Sequence, residues 1–185
     1  MSCTKLKETL NNSIYKICSD IDSYVYNPGK DYSRVRKLPA ENVISYLISQ
    51  GGSSTKCEFL DFYMLSPKTP TVSALNQRRS QLKPDAFKAV FHEFTNSYME
   101  SETVQYDSDY QYIATDGSTI SFSSLPRFAS DEYYISEGHS ASGFYSMHIN
   151  ALYDLNRHIY TDALIQPAHQ KDEFLQSCRQ TLTCT

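Results

Sequence analysis

Tyr112–Ser118 reads YIATDGS: an apolar-rich run meets a lone carboxylate and then a glycine. This is the pattern of a short buried strand that ends at Asp116. Asp-Gly after an apolar run is also a common turn signal, and on that reading Asp116 only caps a hairpin. The flanking sequence bears on the choice. Ser118 to Ser142 is rich in Ser, Tyr and Gly and offers only a short strand at Thr119–Phe122. From Met147 the alternation is clear, with Met147, Ile149, Ala151, Tyr153 and Leu155 on one face and His148, Asn150, Leu152 and Asp154 on the other. Asn156-Arg157-His158 makes a turn. Ile159, Thr161, Ala163 and Ile165 then alternate with Tyr160, Asp162 and Leu164 up to Pro167, which predicts an antiparallel hairpin. Residues 171–182 read as a helix.

Upstream the period changes to that of helices. Leu6, Leu10, Ile14, Ile17, Ile21 and Val25 predict one amphipathic helix over 4–25, stopped by Tyr26-Asn27-Pro28-Gly29. A basic loop follows, KDYSRVRKLP, holding Lys30, Arg34, Arg36 and Lys37. Val43, Ile44, Leu47 and Ile48 mark a second helix that ends at Gly51-Gly52. Ser53 or Ser54 caps a third, in which Cys57, Leu60 and Met64 share a face and which ends before SPKTP. The next segment, TVSALNQRRSQL, carries Ser73, Asn76, Gln77, Arg78, Arg79 and Gln81 on its polar face. Arg suits phosphates and guanine edges, Asn and Gln suit adenine, and Ser suits phosphate oxygens. Helix, proline turn and polar helix together make a loose helix-turn-helix outline, although a solvated helix face has the same composition. Pro84 and Asp85 open a fifth helix, whose face of Phe87, Val90, Phe91, Phe94 and Tyr98 is expected in the core.

The charge is uneven. Residues 1–98 hold 13 Lys and Arg against 9 Asp and Glu, whereas residues 99–185 hold 4 against 12. A basic first half suits a polyanion and an acidic second half suits cations. This gives a helical, DNA-binding region at 1–98, a polar linker at 99–109 and a second domain at 110–185. The 5 cysteines are scattered, with no CxxC pair, and read as reduced structural thiols. No apolar run approaches the roughly 20 residues of a membrane span, and the N-terminus is too polar for a secretory signal, so a cytoplasmic protein without a membrane partner is expected.

Three strands and a helix, with an acid on the first strand, open an RNase H-like fold. KDYSRVRKL (30–38), SALNQRRSQLKPDAFKAVFHEF (73–94), YIATDGS (112–118) and HINALYDLNRHIYTDALIQP (148–167) together resemble the N-terminal part of bacterial DDE-class insertion-sequence transposases. The likeness implies an α+β chain: a helical region, then the opening β1-β2-β3 and first helix of a truncated RNase H-like domain. It implies that Asp116 is the first of three catalytic acids and a ligand of two Mg²⁺ ions that assist phosphodiester cleavage and strand transfer. The second Asp and the Glu lie in stretches that residues 1–185 do not include, so this chain is expected to keep DNA binding and to lack catalysis. Arg34, Arg36, Lys37, Asn76, Gln77, Arg78 and Arg79 are the expected DNA contacts, with transposon ends as partner. The alternative is a non-catalytic protein that pairs through its sheet edge with a full-length transposase, or with itself, and inhibits it. Asp154 or Asp162 could point towards Asp116, but a strand Asp is more often exposed or bonded near a turn. His148 reads as a packed or solvated strand residue rather than a metal ligand, and His139 has no partner that the sequence identifies.

Overall fold

The computed structural model describes residues 3–34, 37–101, 112–122, 131–135 and 143–169. Arg36, His139, residues 102–109 of the expected linker and the expected helix at 171–182 lie outside them. The chain is α+β and divides into two units, Met1–Thr103 and Val104–Thr185.

In the first unit α1 (Cys3–Ser19) stops six residues before the predicted end. A 3-10 turn at Ile21–Tyr24 follows, and Val25 is extended at φ −115° and ψ 157°. Val25 leaves the helix because it forms a bridge with Leu82. Tyr26 N donates to Gln81 O at 3.1 Å and Lys83 N to Tyr24 O at 2.9 Å. Fully buried Val25 thus ties the first helix to the start of α5.

The remaining helices are α2 (Ala40–Ser49), α3 (Thr55–Phe62), α4 (Val72–Arg79) and α5 (Asp85–Ser101). Ser54 and Thr71 cap α3 and α4 by accepting from Cys57 N and Ala74 N, which satisfies otherwise orphaned amides. The inward face of α3 is Phe59 rather than Cys57, Leu60 and Met64: Cys57 is exposed and Met64 is 90% exposed. Phe59 and Phe62 meet Tyr46 of α2 edge-on, at 4.9 and 5.6 Å between ring centroids, a geometry aromatic rings favour. Beyond α3, Met64 N donates to Asp61 O and Leu65 N to Leu60 O, both at 2.8 Å. This is the pair of hydrogen bonds of a Schellman cap, with Met64 and Leu65 left-handed at φ 51° and 54°.

The core runs through Ile14, Val25, Val43, Ile44, Tyr46, Phe59, Leu75, Leu82, Ala86 and Val90. α5 contributes Ala86 and Val90, with Phe87 packed against them, while Phe91, Phe94 and Tyr98 are half-buried. α5 also continues through Ser101, past the expected boundary at Tyr98, because Met99-Glu100-Ser101 holds no Pro or Gly to stop it.

Among the described residues the second unit forms a four-stranded antiparallel sheet of β1 (Ile113–Phe122), β2 (Tyr134–Ile135), β3 (Phe144–Asp154) and β4 (Ile159–Pro167). β3 is central: β1 pairs along one edge, and β2 and β4 share the other. The 147–167 hairpin forms as its alternation predicts. YIATDGS neither ends a strand at Asp116 nor turns there. β1 continues through Gly117 to Phe122, with Asp116 opposite Ala151 and Gly117 opposite Asn150.

Burial pushes the Cys18 thiol from its ordinary 9.0 up to about 12, with the Glu41 charge acting in the same direction. The folded chain holds this proton where the unfolded chain releases it, so stability is full below the unfolded value and declines as pH rises from 9.0 towards about 12. Two outcomes follow. The denaturation midpoint of the helical unit should fall across that window, and at pH 8 a thiol reagent should label exposed Cys3 and Cys57 well ahead of Cys18. Equal labelling of the three in folded protein would contradict the burial assigned to Cys18.

Candidate nucleic-acid interface and the Asp116 strand

Two basic stretches far apart in sequence, the loop at 30–38 and helix α4, meet around Arg78. The loop begins with a turn held by buried Asp31, whose Oδ2 accepts from Asn27 N and Asn27 Nδ2, each at 3.0 Å. Tyr32 follows at φ 57° and donates its hydroxyl to the carbonyl of Arg78 at 2.7 Å. In return the Arg78 guanidinium lies over the Tyr32 ring, 3.7 Å from its centroid. Its Nε donates to Leu38 O and its NH1 to Gln81 Oε1, both at 3.0 Å. Burial raises the Tyr32 phenol above its ordinary value, while the Arg78 charge opposes that shift.

Arg78 is therefore not on the polar face expected for α4. It is only 9% exposed, and its planar fork of donors spans loop and helix as a lysine cannot. A signal for this was present in the sequence, since Leu75, Arg78 and Leu82 fall at i, i+3 and i+7 on one helical face. Leu75 and Leu82 are both buried. Tyr32 was not singled out in the sequence, because no local pattern marks a tyrosine that will stack on a distant arginine.

The other expected contacts are placed differently. Arg34, Lys37, Asn76, Gln77 and Arg79 are all exposed, and Arg36 lies outside the described residues. Two clefts share Gln77 and Arg78. One, of 510 Å³, runs past Lys37, Leu38, Thr71 and Ala74. The other, of 420 Å³, runs past Lys30, Ser33, Arg34 and Gln81. Ammonium and guanidinium groups thus alternate with amides and hydroxyls, a surface able to pair with phosphate oxygens and to donate to or accept from base edges.

In the second unit Asp116 sits exposed in the middle of β1, and its Oδ1 accepts from Gly117 N at 2.8 Å. It shares its face with Ser118 and Ala151. Asp154 and Asp162 do not approach it, because the register puts them on the opposite face with Thr115 and Leu152. Asp154 is fully buried and organises the hairpin turn, accepting from Asn156 N and Arg157 N at 2.9 Å and pairing with the Arg157 guanidinium at 3.0 Å. His148 is a packed strand residue. Among the described residues no three His, Cys, Asp or Glu side chains are grouped to hold a metal ion. One exposed carboxylate does not match the oxygen cage that two Mg²⁺ ions require, so the described residues do not fit that site. No family model, curated protein or solved structure matches this sequence.

Replacing Arg78 by Lys should lower stability by about 1–3 kcal/mol, the cost of leaving buried partners such as the Leu38 carbonyl unpaired. Urea denaturation followed by helical signal measures it. An unchanged midpoint would mean that the loop does not depend on Arg78.

Proposed function

We propose that the first unit binds DNA through the surface formed by the 30–38 loop and α4. The observation that carries this reading is that Arg34, Lys37 and Gln77 line two clefts that meet at one buried arginine, which fixes loop to helix, with Asn76 and Arg79 exposed on the same helix. Arg34, Lys37 and Arg79 supply phosphate contacts, and Asn76 and Gln77 face base edges. Arg78 positions them and does not read sequence itself.

In the wider reading the chain comes from a DDE-class insertion-sequence transposase, with transposon ends as the DNA and Asp116 as one acid of the catalytic set. Two things support it: the four stretches that resemble the family occur in the family's order, and β1, β3 and β4 run antiparallel in that spatial order with an acid on β1. Mg²⁺ belongs to this proposal only as the family's cofactor, and DNA binding is the activity proposed for residues 1–185.

A second reading rests on the sheet edge. Among the described residues β1 pairs only with β3, and Thr115–Ser121 are all exposed. Such an edge can add a strand from a full-length transposase and inhibit it. Co-purification with that enzyme in the absence of DNA affinity would favour this reading over the first.

The DNA reading makes a salt prediction. Duplex affinity, measured by fluorescence anisotropy, should fall steeply with salt as condensed counterions are released. Replacing Arg34, Lys37 and Arg79 by Ala should flatten the log–log slope by about one unit per lost phosphate contact. A triple variant with the parent slope and parent affinity would overturn the assignment.

A further inference from the structure

We propose that Thr119 is an acyl-accepting hydroxyl, with His148 as its base and Asn150 as the residue that orients the base, and that it takes the acyl group of an activated carboxylic ester. The site lies on the polar face of the sheet and does not rest on the DNA reading.

Thr119 and His148 are directly opposite in the β1–β3 ladder, which brings Thr119 Oγ1 within 3.0 Å of His148 Nδ1. On the other side of the ring, Nε2 is 3.1 Å from Asn150 Oδ1. An amide oxygen only accepts, so Nε2 carries the ring hydrogen. Nδ1 is then a lone pair, and the Thr119 hydroxyl is the donor to it. Nucleophile to base and base to orienting group is the relation by which hydroxyl nucleophiles are recognised, independently of fold.

Three further observations shape the site. His148 and Asn150 are 9% and 7% exposed, whereas Thr119 is exposed, so the base is sheltered and the nucleophile open. Gly117 makes room for the pair: a Cβ there would stand 2.6 Å from His148 Nε2 and 2.8 Å from Asn150 Oδ1. Asn150 Nδ2 is buried with no hydrogen-bond partner, so the amide is held at the ring by its Oδ1 contact alone. On this face the neighbouring positions Gly117, Ser121, Ser146 and Gln166 carry no charge, and Asp154 and Asp162 lie further along the strands.

In the reaction Thr119 Oγ1 adds to the ester carbonyl carbon while its proton passes to His148 Nδ1. The tetrahedral intermediate collapses with cleavage of the bond to the leaving alcohol, which departs as its anion. The Thr119 ester remains, and His148 returns the proton to solvent. No electrons change hands.

The test treats the full chain with p-nitrophenyl acetate and maps acetylated peptides by mass spectrometry as a function of pH. Thr119 should be labelled ahead of every other hydroxyl, with a rate that rises with pH to a plateau. Thr119→Ser should retain labelling at this position, Thr119→Val should abolish it, and His148→Gln should slow it about a hundredfold. Asn150→Asp should move the midpoint to higher pH, because a carboxylate beside the ring favours the imidazolium; a rate that His148 does not govern would not move. Acetyl groups confined to lysines and the N-terminus would overturn the proposal. So would a Thr119 rate unchanged in a His148→Gln protein whose β3 amides stay protected from exchange. If His148→Gln unfolds the sheet, an unshifted midpoint in Asn150→Asp is sufficient to refute it.

Discussion

The buried guanidinium of Arg78 is the constraint around which the helical unit is arranged. Taking a charge out of water is costly unless it is hydrogen-bonded and matched. Here the Leu38 carbonyl, Gln81 and the face of Tyr32 all meet it. Tyr32 and Leu38 come from the 30–38 loop and Gln81 from the turn after α4, so satisfying one side chain fixes loop, helix and turn together. The Val25–Leu82 bridge beside it ties in the end of the first helix as well. Exposed Arg34 and Lys37 of the loop are set against exposed Gln77 of α4 by this arrangement.

The sheet is built on the opposite economy. Its Met147, Ile149, Ala151 and Tyr153 face is only partly buried, while Ser146, His148, Asn150 and Gln166 on the other face are buried. Alternation in sequence establishes that two faces exist and says nothing about which one is covered. For the same reason the placement of Asp116 depends on register. It falls on the Ala151 face, away from Asp154 and Asp162, as a strand's period of two requires.

Much of the fold was legible because periodic burial is written locally. α2 and the cap at Ser54 follow from such signals, as does the 147–167 hairpin. What was not legible depended on distant partners. α1 stops at Ser19 because Val25 is claimed by Leu82, more than fifty residues away. Arg78 turns inward because Tyr32 and Leu38 await it. Gly117 continues a strand because a histidine and an asparagine two positions apart on β3 occupy the space a side chain would need. Asp-Gly has one local meaning, a turn, and a non-local meaning that only the neighbouring strand reveals. The candidate DNA face was legible as composition, and its division into contacting and positioning residues was not.

The corner after α3 has a practical consequence. A Schellman cap ordinarily places glycine where Met64 stands, because a left-handed backbone crowds any Cβ. Met64 and Leu65 accept that crowding while their side chains project into solvent. This corner is therefore an engineering handle. It lies outside the core and contributes nothing to the basic surface, so it can be rebuilt to relieve backbone strain and remove exposed apolar area in one change, leaving the end of α3 to the two hydrogen bonds that already cap it.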